Sequence, residues 1–108
     1  MALFSASDSA PIEVTHKSIQ KSITITDGLG SVVVNKSDIT TGKKLLAVAV
    51  CNSNSNASIY LMPYSISYTP NDATKAATVS CASTKAPPNA WGSAANGTYT
   101  VNVDIAEY

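Results

Sequence analysis

The chain has 108 residues, 44% hydrophobic and 13% charged, with seven Lys, no Arg, seven Asp plus Glu and zero formal net charge. That length suits one domain with a modest two-layer core, and the apolar content excludes intrinsic disorder. Without Arg or clustered cations nucleic acid is not an expected partner, and no stretch approaches the roughly 20 apolar residues of a membrane span.

Residues 1–17 read as an N-terminal arm or tether, rich in Ser and Ala at its start and interrupted by Pro11. Met1 to Ala6 lack a basic segment and a long apolar core, so no signal peptide is expected and synthesis is placed in the cytoplasm. The single domain is expected over residues 18–108. There Ile19, Ile23 and Ile25 alternate with Gln20, Ser22, Thr24 and Thr26, the period of a half-buried strand. Asp27-Gly28-Leu29-Gly30 is a turn signal, which predicts a hairpin whose second arm is residues 31–35.

After a loop signal over residues 36–42 comes the longest apolar run, residues 44–51, hydrophobic on both faces. Its length, its valines and the flanking Gly42 and Asn52 favour strand over buried helix and predict the central strand of the fold. The Asn/Ser-rich residues 52–56 lead to a strand over 57–62, and Pro63 then marks an edge or a bend. Residues 64–68 alternate strongly and close on the turn Thr69-Pro70-Asn71-Asp72. Residues 78–82 resume extended structure, and residues 83–97, with Pro87-Pro88, Trp91-Gly92 and Asn96-Gly97, form one long loop. In the closing strand Tyr99, Val101, Val103 and Ile105 share one face, and Thr100, Asn102 and Asp104 share the other. About seven strands without an amphipathic helix predict an all-β, antiparallel β-sandwich of jelly-roll or immunoglobulin-like type; a closed barrel of similar strand count satisfies the same pattern.

The chain offers little chemistry. Its one histidine, His16, has no evident partner; it reads as an exposed strand imidazole, against a pH-sensitive contact or a metal ligand shared between subunits. The acids are scattered, no Ser occupies a nucleophile elbow and no glycine-rich phosphate loop is present, so no catalytic residue, metal or cofactor is assigned and the protein is read as non-enzymatic. The sequons at Asn35, Asn56 and Asn96 are at chance level in so Asn-, Ser- and Thr-rich a chain. Cys51 and Cys81 lack metal or redox spacing and read as reduced thiols, with a disulfide as the alternative. Lys43-Lys44, the only adjacent basic pair, reads as a charged strand start beside a turn. Tyr60, Tyr64 and Tyr68 alternate with Met62 and Ile66, so an uninterrupted strand places five large side chains on one face, for subunit packing or for stacking a ligand. Trp91 and Asn89 in the long loop, with Asn54, Asn71 and Asp72 in shorter turns, are the candidate ligand or partner contacts.

The alternating Ile-Thr hairpin (Ser22 to Thr26, Gly30 to Val34), the hydrophobic strand, the Asn/Ser-rich link and the alternating C-terminal strand together resemble the small β-sandwich modules of bacteriophage tail-fibre and virion-appendage proteins, over residues 18–108. The resemblance implies a structural protein of the virion that assembles as a homotrimer, contacts other virion proteins and contributes to host-surface recognition, including of glycans. A capsid decoration or head-fibre protein is the alternative, with residues 1–17 as tether, and a carbohydrate-binding module is the third.

Overall fold

The computed structural model describes residues 12–53, 59–85, 92 and 96–108. Among these residues six strands form, β1 (Thr15–Ile25), β2 (Leu29–Asn35), β3 (Leu45–Asn52), β4 (Ile59–Tyr68), β5 (Lys75–Lys85) and β6 (Gly97–Glu107), with one 3-10 turn at Lys36–Asp38. They make two antiparallel three-stranded sheets, ordered β1-β6-β3 and β2-β5-β4. Outside those ladders the one isolated bridge is Thr26 to Leu29, so the chain folds as a sandwich and the barrel alternative is set aside.

Four expectations are corrected. The strands number six because residues 57–62 and 64–68 are not separate: β4 runs through Pro63 with a register shift between Pro63 and Ser65. An edge strand tolerates the missing N–H, and the bulge absorbs the extra residue. The hydrophobic run is not central. It forms β3, an edge of its sheet, while the closing strand β6 lies in the middle and pairs along its length with β1 and β3. Nor do β1 and β2 make a paired hairpin. Asp27 (φ 53°) and Gly28 (φ 79°) form a tight two-residue turn closed by mutual Thr26 and Leu29 hydrogen bonds of 2.9 and 3.1 Å, but the arms then separate into opposite sheets. Strand β1 also begins at Thr15, inside the residues read as an arm.

The core lies between the sheets. Ile23, Ile25, Val48, Val50, Val101, Val103 and Ile105 from one sheet meet Val32, Val34, Ile59, Ala77, Val79 and Cys81 from the other, and each fully buried aliphatic side chain contributes about 1.5–3 kcal/mol. Gly30 fits where β2 passes over β1: a Cβ there would stand 2.5 Å from the Thr24 carbonyl oxygen and 3.0 Å from Ile23 and Ile25. Along this seam the Lys21 ammonium, on the inner face of β1, pairs at 2.6 Å with Asp38, whose carboxylate also accepts the Asn35 N–H at 2.8 Å. The inward face of β6 ends on a charge, Glu107, only 3% exposed. Its carboxylate accepts the N–H of Thr40 at 2.9 Å and the Thr40 hydroxyl, so the buried acid is capped from the loop before β3.

Candidate functional site

The two long seams of the sandwich differ in kind. At one, β1 packs on β2; Lys17, Lys21, Lys36, Asp27 and Asp38 lie along these strands and the turns that join them, and the tight turn and the Lys21–Asp38 pair close the seam. At the other, β3 packs on β4, and from residue 45 to 71 the sequence holds no charged residue and no histidine. Both strands there are sheet edges with one row of backbone groups unpaired. Natural edges are ordinarily blunted by charge, proline or bulges; here Pro63 and the register shifts near Leu46 and Tyr64 serve, without a single charge.

Large apolar side chains crowd this uncharged side. Leu46, Tyr60, Met62, Tyr64, Ile66, Tyr68 and Tyr108 are each 40–63% exposed. With roughly 200 Å² per large side chain about half uncovered, Tyr60, Met62 and Tyr64 offer about 300 Å² and the others lie around the end of the sandwich, so a standard interface of ~800 Å² per partner would span both. The expected single face of five side chains on β4 is corrected by the bulge. Tyr60 and Met62 stand opposite Thr84 and Ala82 on the outer face, whereas beyond Tyr64 the register moves by one and Ile66 and Tyr68 stand opposite the buried Val79 and Ala77. A one-residue shift exchanges faces because the side-chain period is two. The second half of β4 therefore aims its large residues toward the space between the sheets.

That space is open at one end, where a cavity of about 660 Å³ is bounded by the 3-10 turn, the start of β3, the β4–β5 turn and Tyr108. Ile39, Leu45, Leu46, Pro70 and Ala76 give it aliphatic walls, with Tyr68 and Tyr108 beside them. Small residues, Ala76 and Ala77, occupy β5 there, and both β2 and β3 shift register nearby, so the sheets do not close on each other. Lys36, Lys43 and Lys44 also line it, and among the described residues no acidic side chain does. The Lys36 ammonium donates to the Pro70 carbonyl at 3.0 Å; those of Lys43 and Lys44 have no hydrogen bond or ion pair among the described residues. The two nearest carboxylates are engaged. The Thr40 hydroxyl and N–H hold Glu107 below the ordinary carboxylate range against the opposing effect of burial, and backbone N–H groups of Lys75 and Thr74, at 2.7 and 2.8 Å, do the same for Asp72.

Of the candidate contacts, Trp91, Asn89 and Asn54 lie outside the described residues. Asn71 and Asp72 sit exposed in the β4–β5 turn, where the Asp72 carboxylate shapes the turn itself. His16 is exposed on the outer face of β1, an edge strand of the other sheet from β4. Both cysteines are free: Cys51 lies on the exposed face of β3, and Cys81 is buried in the other sheet, where desolvation pushes its thiol pKa up. Sequence reasoning missed the cavity. Lys43-Lys44 was its one visible trace, but only the register shifts bring that pair beside Tyr68 and Tyr108. No family model matches the chain, and no curated protein or solved structure matches it either.

Proposed function

We propose that the protein is a non-enzymatic structural module of a bacteriophage virion, a tail-fibre or appendage component that assembles with copies of itself, as a trimer, and contributes to host-surface recognition. The observation that carries the assembly half is the uncharged seam of β3 and β4, with its unpaired edges and exposed tyrosines. The buried core of an interface is depleted of charged residues, so an uncharged edge that carries exposed tyrosines suits burial against another copy. The virion half rests on the resemblance in sequence style. A capsid decoration or head-fibre protein would use the same surface.

Light scattering on the full chain is expected to give three times the 11.2 kDa chain mass. A monomer at tens of micromolar, a concentration well above the affinity range of stable assemblies, would remove the assembly reading. Electron microscopy of parent particles carrying an epitope-tagged copy is expected to place the label on the tail or its appendages. Label on the head would favour decoration, and particles without label would remove the virion reading.

A further inference from the structure

The geometry points to the cavity at the open end of the sandwich as a binding site for a small amphiphilic anion: an apolar body lodged between the sheets and one acidic head, carboxylate or phosphate, at Lys43 and Lys44. Three features carry this. The volume of about 660 Å³ falls within the roughly 300–1,000 Å³ of ligand pockets. The lining is aliphatic and aromatic, from Ile39, Leu45, Leu46, Ala76, Tyr68 and Tyr108, so a polar-bodied ligand would exchange water for hydrocarbon at a loss. The charged side chains lining it are all ammonium groups, and those of Lys43 and Lys44 make no hydrogen bond or ion pair among the described residues.

The acids nearest the lining lysines direct their hydrogen bonds elsewhere, while each still attracts one of them through space, Glu107 the Lys43 ammonium and Asp72 that of Lys36. Glu107, near Lys43, is capped by Thr40, and Asp72, near Lys36, is capped by the N–H groups of its own turn. The main-chain oxygen of Tyr108 accepts the Lys44 backbone N–H at 2.7 Å, which holds the two residues together at the cavity. The phenols of Tyr68 and Tyr108 likewise have no hydrogen-bond partner among the described residues and can serve a head group as donors. Such a site adjoins the β4–β5 turn that holds Asn71 and Asp72 and stands whether or not the protein rides on a virion.

The test is an amide NMR titration of the full, isotopically labelled chain with octanoate, with octanol as its neutral twin and glucuronate as a polar-bodied anion. Octanoate is expected to shift the amides of Leu46, Ala76 and Tyr108 saturably and to bind at least about tenfold more tightly than octanol, with affinity falling as salt rises. The double variant Lys43→Gln/Lys44→Gln, checked for an unchanged dispersed spectrum, should bring octanoate down to the level of octanol. Presenting a phosphate head as octyl phosphate, free or in vesicles, distinguishes a soluble anion from a lipid source. Equal binding of octanoate and octanol, glucuronate binding as tightly as octanoate, or no response at these three amides would each overturn the proposal.

Discussion

Ser83 illustrates how a single hydroxyl can weaken this fold. It is 2% exposed on the inner face of β5, and its Oγ finds no hydrogen-bond partner among the described residues, although its backbone N–H donates to the Gly28 carbonyl at 2.8 Å. An unpaired buried hydroxyl forgoes its hydration without return, so Ser83→Ala should stabilise the protein by about 1 kcal/mol, read as a higher urea midpoint at unchanged slope. Gly30 works in the opposite direction. Its missing Cβ admits the Thr24 carbonyl, an atom that cannot rotate aside, and Gly30→Ala should cost about 1–3 kcal/mol in the same assay. At Glu107 the Thr40 contacts favour the ionised acid. Its contribution is therefore full above the ordinary value of 4.5 and lost as pH falls through the depressed native value. Stability measured from neutral to acid pH should fall over that range, and Glu107→Gln should lower stability at neutral pH and flatten the acid limb, leaving the slope owed to Asp72.

Strand β4 shows what one inserted residue does at the scale of an element. Up to Met62 its large side chains stand on the outside of the sheet, and beyond the bulge they turn inward at a place where β3 does not cover them. The strand thus takes part in two surfaces, an outer patch of Tyr60, Met62 and Tyr64 and the cavity wall at Tyr68. A charge placed at the bulge should separate these roles. Tyr64→Lys is 63% exposed at its starting residue, so its fold should persist by circular dichroism while light scattering reports a shift toward monomer. An unchanged trimer would show that this edge lies outside the interface.

For the molecule as a whole, the seams set how the sandwich opens. Cys81 is fully buried under both sheets, with its thiol pushed up by desolvation, so it is a reporter of global opening. In a Cys51→Ser background, alkylation of Cys81 should be negligible under native conditions and should accelerate with urea in step with global unfolding. Rapid alkylation in buffer would show that the β3–β4 seam opens on its own.

The sequence by itself determined roughly where the chain is extended, the two-sided alternation of β1 and β6, the turn at Asp27-Gly28 and the all-β sandwich class, though not the number or bounds of the strands, because a period of two and a positive-φ turn are local properties written residue by residue. Only the tertiary structure decided the order of strands within the sheets. Apolarity on both faces suggested that β3 would be central, yet nothing local records which neighbours a strand pairs with, and β6, with its eleven residues, bridges β1 and β3 while β3 keeps an exposed face. Pairing also created the bulges, and with them the divided faces of β4 and the lysine-lined cavity. Those features depend on register between segments distant in the chain, where a shift of one residue exchanges inside for outside.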